Sequence, residues 1–309
     1  MIPADALPAS SRFNRLYWLR LAGFFLFTLA WAVLTLPLWQ GALFMFGLLH
    51  VPCGASGDTP GDYGYAWEDV IIEARAGGAF QGYFIPGENG ATVIIPPALA
   101  AGRGNRLNEA DVLRRHGYGV LAFESRRCAD MGAVSLGFQE TAEVADALAY
   151  LLDRPDIDPD RIGVLGFSSA GATAVMAAAQ LPGLRAVVAE GGYGDFAEET
   201  LGPSPRTNLL GLYQTLFNWS ARWTYRLVTG IDIHLLSPKD VIGRIEPRPV
   251  LLIYGSREVS LVGARQQLAA AGPNTSLWVV PDAGHGDYLQ VAPEEYERRV
   301  VEFFGQALK

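Results

Sequence analysis

The stretch Arg161-Ile-Gly-Val-Leu-Gly-Phe-Ser-Ser-Ala-Gly-Ala-Thr-Ala-Val-Met-Ala-Ala-Ala-Gln180 changes character at Ser168. Before it, Ile162–Phe167 is a short apolar run that predicts a buried strand; after it, an alanine-rich run predicts a helix. Gly166 and Gly171 bracket the turn. A serine on a tight strand-to-helix turn has its hydroxyl pushed out of the sheet over a helix N-terminus, and small neighbours are needed because the backbone there is crowded. The plainer alternative is a strand–turn–helix whose serine only caps the helix.

Outward from this turn, strands alternate with helices. Asp69–Ala74 and Phe80–Ile85 predict a hairpin around Gly77-Gly78, followed by strands over Thr92–Ile95 and Tyr118–Phe123. Arg185–Ala189, Val250–Tyr254 and Leu277–Val280 predict further strands. Helices are expected over Leu107–His116, Thr141–Leu152, Leu261–Ala271 and Glu294–Leu308. Strands separated by helical stretches of this length predict an α/β architecture, a mostly parallel sheet with helices on both faces.

Gly166-Phe167-Ser168-Ser169-Ala170 resembles the G-x-S-x-G nucleophile elbow of the α/β-hydrolase superfamily, with alanine in place of the last glycine. The segment Tyr65–Arg106, with Glu68-Asp-Val70, Gly82-Tyr-Phe-Ile-Pro-Gly-Glu-Asn-Gly90 and Gly102-Arg-Gly-Asn-Arg106, is similar to bacterial members that carry an N-terminal transmembrane anchor and a prolyl-oligopeptidase-like hydrolase domain. The resemblance covers roughly Tyr65–Lys309. It implies the α/β-hydrolase fold, an antiparallel first strand pair, and a triad in the chain order serine, acid, histidine.

A neutral serine is a poor nucleophile, so an imidazole must take its proton and a carboxylate must orient that imidazole. The histidine candidate is His285, in Pro281-Asp-Ala-Gly-His-Gly-Asp-Tyr288 after the last strand; His50, His116 and His234 read as surface or packing residues. The acid candidate is Glu258, in Tyr254-Gly-Ser-Arg-Glu258, where the family usually shows aspartate. Arg257 is a competing surface partner for it, and Asp282 and Asp287 flank the histidine. For the oxyanion hole the resemblance implies the N–H groups of Ser169 and of the loop after Thr92–Ile95. That loop begins Pro96-Pro97, which has no N–H to offer, so its donor is Ala98. Glu124-Ser-Arg-Arg-Cys-Ala129 keeps only Arg126 of the family's Asp-x-Arg-Gly-x-Gly.

Leu21–Val51 carries no charged side chain, longer than the roughly 20 residues a spanning helix needs. Pro37 suggests a span near Leu19–Leu38 and a tilted or interfacial continuation to about Leu49. Two short spans, a cleaved signal peptide and a buried helix are alternatives. Arg12, Arg15 and Arg20 precede the span, and no Lys or Arg lies between Val51 and Arg75, which predicts a cytoplasmic N-terminus and an extracytoplasmic domain. The expected organisation is a tail and anchor over 1–51, a linker over 52–66 and a hydrolase domain over 67–309, with a cap insertion at about 194–247. Within that insertion Asn208–Val228 is apolar on more than one face, which suits a core helix or a cap that forms an acyl pocket and touches lipid.

The net charge of −8 and the lack of a basic stripe argue against nucleic acid. Cys53 and Cys128 have no metal-ligand pattern around them, and no metal or organic cofactor is implied. The expected activity is hydrolysis of an ester, thioester or amide of an apolar, lipid-like or small-molecule acyl substrate. A degenerate membrane-tethered binding protein and an acyltransferase are the alternatives; fold alone does not choose between them.

Overall fold

The computed structural model describes residues 10–202 and 207–309. The tail over 1–9, the side chain of Arg12 and residues 203–206 of the insertion lie outside the described residues. In chain order the elements are α1 (Ser10–Leu49), β1 (Glu68–Glu73), β2 (Ala79–Ile85), β3 (Thr92–Ile95), α2 (Leu107–Arg115), β4 (Gly119–Phe123) and α3 (Glu140–Leu152). They continue with β5 (Ile162–Phe167), α4 (Ser169–Ala178), β6 (Ala186–Glu190), α5 (Leu209–Thr229), α6 (Pro238–Val241), β7 (Val250–Gly255), α7 (Leu261–Ala270), β8 (Thr275–Val280), α8 (Tyr288–Val291) and α9 (Pro293–Ala307). Among the described residues two compact units emerge, one of residues 10–45 and 207–224, the other of 46–202 and 225–309.

The larger unit is built on a sheet with strand order β1-β2-β4-β3-β5-β6-β7-β8. β2 pairs antiparallel with β1 and β4, and the remaining neighbours are parallel. This is the mostly parallel α/β sheet that the alternation predicts. β8 begins at Thr275, earlier than its apolar run, because Thr275 lies opposite Val250 at the start of β7. Successive side chains of a strand point to opposite faces, and here both faces are covered. Ile94, Leu121, Val164, Val187 and Leu252 meet Val144, Leu148 and Leu151 of α3 and Val175 of α4. Val93, Val120, Leu165, Val188 and Ile253 meet Leu107 and Leu113 of α2 and Tyr296, Val300 and Phe304 of α9. The parallel strands therefore read as unbroken apolar runs, and their C-terminal ends all open on the loops that carry the candidate site.

The segment after α1 is pinned to this unit. Cys53 and Cys128 form a disulfide. The Gly54 N–H donates to the Ala100 carbonyl at 2.8 Å, and the Arg127 side chain donates to the Val51 carbonyl at 3.1 Å. In the smaller unit α1 runs on through Pro37, where the sequence suggests an interruption. A proline removes only one hydrogen bond of the helical ladder, and an apolar helix with packed neighbours absorbs that loss.

Because the disulfide closes a chain separation of 75 residues, its removal frees the unfolded chain more than the folded one. Cys53→Ser with Cys128→Ser is expected to lower unfolding stability by about 2–4 kcal/mol, read from the denaturant midpoint. An unchanged midpoint would show that the disulfide contributes nothing.

Candidate active site

Ser168 sits between β5 and α4 with φ 57° and ψ −125°, a region that L-residues seldom occupy and that costs on the order of 1–3 kcal/mol. The turn is held on both sides. The Ser168 N–H donates to the Glu190 carbonyl at the end of β6 (2.7 Å). A Cβ on Gly166 would lie 2.1 Å from the Ala170 carbonyl oxygen, so no larger residue fits there. Ala170, which departs from the usual glycine, is buried without difficulty. The first intrahelical bonds of α4 run from the Gly171 and Ala172 N–H groups to the Ser168 carbonyl, which leaves the N–H groups of Ser169 and Ala170 at the open helix end.

The three residues that the sequence singles out meet here from three loops. His285 Nε2 lies 3.0 Å from Ser168 Oγ, and His285 Nδ1 lies 3.0 Å from Glu258 Oε2. A carboxylate only accepts, so the proton belongs on Nδ1 and the Nε2 lone pair faces the serine hydroxyl. The Phe167 ring packs against the imidazole at 4.7 Å. Arg257 pairs instead with Asp282 at 3.5 Å, both on the surface, while Glu258 turns inward. Among the described residues neither Asp282 nor Asp287 bonds to His285. His116 pairs with Glu297, and His50 bonds the Phe46 carbonyl.

Glu258 accepts from four donors: His285 Nδ1, the Gly255 N–H (2.6 Å), the Ser260 hydroxyl (2.7 Å) and the Tyr288 hydroxyl. Burial alone pushes its pKa up. The bonds from His285, Tyr288, Gly255 and Ser260 outweigh burial and hold the carboxyl below its ordinary range. Burial and the adjacent carboxylate push the Tyr288 phenol far up, so Tyr288 remains a donor. Tyr288 and Ser260 are not singled out by the sequence. Tyr288 ends the quoted histidine loop, and that proximity is the only signal for it.

The loop after β3 is tied to the elbow. The Leu99 N–H donates to Ser169 Oγ at 2.8 Å, the Ser125 hydroxyl donates to the Leu99 carbonyl, and Leu99 itself has φ 43°. The Ala101 N–H donates to the Ala98 carbonyl at 2.9 Å, closing a tight turn. Arg126, the one residue matching the family loop, bonds Gln139 and the Met131 carbonyl, which gives it a packing role.

A cavity of about 190 Å³ adjoins Ser168 and Ser169. Its walls are Leu48, Leu99, Leu136, Tyr193 and Phe196, with Thr200 and Ser260. Phe196 and Thr200 come from the insertion, and Leu48 comes from the last turn of α1. A dry cavity of about 150 Å³ holds a benzene molecule, so this one suits a small apolar group. Among the described residues no cluster of His, Cys, Asp or Glu could hold a metal.

The folded carboxyl of Glu258 lies below its unfolded value, so its stabilisation is complete above the unfolded pKa and is lost as pH falls through the folded one. Tyr288→Phe with Ser260→Ala removes two donors and raises the folded value. The double variant should therefore lose less Tm than the wild-type chain on acidification from pH 7 to about pH 3. Parallel Tm curves would overturn this account of the carboxylate.

A profile of the X-Pro dipeptidyl-peptidase (S15 family) matches residues 78–211. No curated protein matches the chain. Among solved structures, an esterase of Pyrococcus furiosus superposes with TM-score 0.66 at 23% identity, covering 85% of this chain and 99% of that one. An α/β hydrolase of Penicillium sp. sh18 gives TM-score 0.60 at 16% identity, covering 79% and 99%. Dipeptidyl peptidase 4 of Porphyromonas gingivalis gives TM-score 0.57 at 15% identity, covering 79% of this chain and 36% of that one. With its strand order and elbow, the chain has the α/β-hydrolase fold, and the matched profile supports a hydrolase of the esterase and peptidase type.

Proposed function

We propose that the chain is a membrane-anchored serine hydrolase that cleaves an ester, thioester or amide of a small apolar acyl group through an acyl-enzyme on Ser168. The observation that carries this reading is the unbroken relay from Glu258 through His285 to Ser168, beside an apolar cavity. His285 Nε2 takes the hydroxyl proton as Ser168 Oγ attacks the acyl carbon, then gives that proton to the leaving group. Glu258 stabilises the imidazolium formed between those steps. The N–H groups of Ser169 and Ala98 are the donors for the oxyanion. The engagement of the Leu99 N–H by Ser169 Oγ supports the assignment to Ala98 rather than its neighbour. Water then repeats the sequence in reverse to release the acid.

The anchor is α1. Arg15–Leu49 is long and apolar enough to cross a bilayer, and most of its side chains are exposed rather than packed. The Arg15 and Arg20 charges before it favour an N-terminus in the cytoplasm. The Cys53–Cys128 disulfide supports a domain on the oxidising side.

Covalent capture tests the nucleophile. The wild-type chain should be labelled by a fluorophosphonate and hydrolyse a short activated ester. Ser168→Ala should lose both, and Ser169→Ala should remain labelled. Glu258→Gln should lower kcat/KM about 10³-fold or more, by analogy with the loss of the carboxylate charge in a protease triad, with circular dichroism unchanged. A labelled Ser168→Ala variant would move the nucleophile elsewhere. An unlabelled wild-type chain would favour a binding protein, and ester transfer to an added alcohol would favour an acyltransferase.

Orientation is tested with reporters fused after Lys309. A reporter active only outside the cytoplasmic membrane should be active there, and a cytoplasm-only reporter should be silent. The reverse pattern would invert the topology.

A further inference from the structure

The smaller unit contains a second apolar helix beside the anchor. Between Leu209 and Thr224, α5 has one charged residue, Arg222. Leu212, Leu216, Trp219 and Trp223 recur at i, i+4, i+7 and i+11, so they share one face. Leu212, Trp219 and Trp223 are 42%, 55% and 48% exposed, and the two indole rings lie 6.0 Å apart. Gly211, Asn218 and Ala221, on the opposite side, are buried. This polarity is inverted for a helix facing water, where the exposed face should be the polar one.

Contacts with α1 hold the helix against the anchor. Gly41 of α1 permits close approach: a Cβ there would lie 2.2 Å from the Phe217 carbonyl oxygen and 3.2 Å from the Ala221 nitrogen. The Tyr213 hydroxyl bonds Gln40, the Ser220 hydroxyl bonds the Leu38 carbonyl, and Phe44 packs on Phe217 at 5.6 Å. These contacts hold α5 against Leu38–Phe44 of α1.

We propose that α5 lies in the membrane interface, its Leu212–Trp219–Trp223 face set into the outer leaflet of the same bilayer that α1 crosses. This rests on the reading of α1 as the anchor. About 20 residues cross the hydrocarbon, and counted from the last N-terminal charge, Arg20, they end near Gln40, level with the α5 contacts. A helix packed on the anchor at that level turns its uncovered apolar face to lipid. Trp39 and Leu43 of α1, at the same level, are exposed too, and tryptophans concentrate at this depth. The occupant committed to is lipid rather than a second copy of the chain.

The test uses the full chain in phosphatidylcholine–phosphatidylglycerol vesicles, with and without brominated acyl chains. Cys53 and Cys128 are paired, so one introduced cysteine carries an environment-sensitive fluorophore. Probe sites are Trp219→Cys and, as an independent second site, Trp223→Cys. Leu29→Cys in α1 reports the anchor, and the exposed Val262→Cys in α7 reports water. Bromine placed shallow in the chain should quench most of the emission at 219 and 223, deep bromine should quench 29, and neither should quench 262. Quenching at 29 with 219 and 223 no more quenched than 262 overturns the inference while the anchor stands. That result with blue-shifted emission at 219 identifies a protein partner or second copy as the occupant and overturns it equally. Absence of quenching at 29 as well overturns the anchor reading and this inference with it.

Discussion

The backbone of Ser168 is held where an L-residue does not settle by itself, and the geometry of the site follows from that constraint. The turn places the hydroxyl at the end of β5 and starts α4 at the next residue, which leaves two helix N–H groups open beside it. The strain is balanced by bonds from neighbouring elements rather than by the turn itself. Glu190 receives the Ser168 N–H, and Ser169 ties the loop after β3 to the same turn. A strained residue persists only where its surroundings over-determine it, and here the sheet supplies that on both sides of β5.

The fold was legible because its signals are local. Alternating apolar runs give the strands, their lengths give a parallel sheet, and the small residues Gly166, Ala170 and Gly171 around Ser168 give the turn. His285 and Glu258 were legible as loop residues following strands, which is a matter of chain order. What the sequence hides is contact between distant positions. Nothing in Leu48 distinguishes it from the other apolar residues of α1, yet it lines the cavity beside Ser168. Nothing in the spacing of Cys53 and Cys128 declares their bond. Tyr288 and Ser260 are ordinary loop residues until the turn after β7 brings Glu258 between them. The helix continues through Pro37 because Pro37 is itself packed and removes a single ladder bond, which its sequence position alone does not reveal.

These long-range contacts concern one region. The stretch after α1 is joined to the loops around the site by the disulfide, by the Gly54 to Ala100 bond and by the Val134 N–H donating to the Leu49 carbonyl at 3.0 Å. The residues of 52–66 are thus partly a component of the hydrolase unit rather than a free spacer. A chain begun after them would lose Leu48 from the cavity wall and the clamp on the Ala98–Ala101 turn together.

Behind the elbow lies a second group of buried titratable side chains. Glu190 ends β6 in full burial, and burial, with Glu109 nearby, pushes its carboxyl well above the usual range. It accepts from the Tyr296 hydroxyl, and the Arg106 guanidinium approaches to 3.9 Å while also pairing with Glu109 at 2.8 Å. The buried Arg106–Glu109 pair is weak evidence for stability, since desolvation offsets most of its attraction. Its position accounts for it better than its energy does. Arg106 lies 3.7 Å over the ring of Phe167, and that ring packs against His285. Arg106 therefore backs the face of the imidazole through one aromatic ring, while Glu258 holds its edge. The imidazole is fixed by a hydrogen bond in its own plane and by packing across it, the two constraints needed to keep Nε2 aimed at a serine hydroxyl.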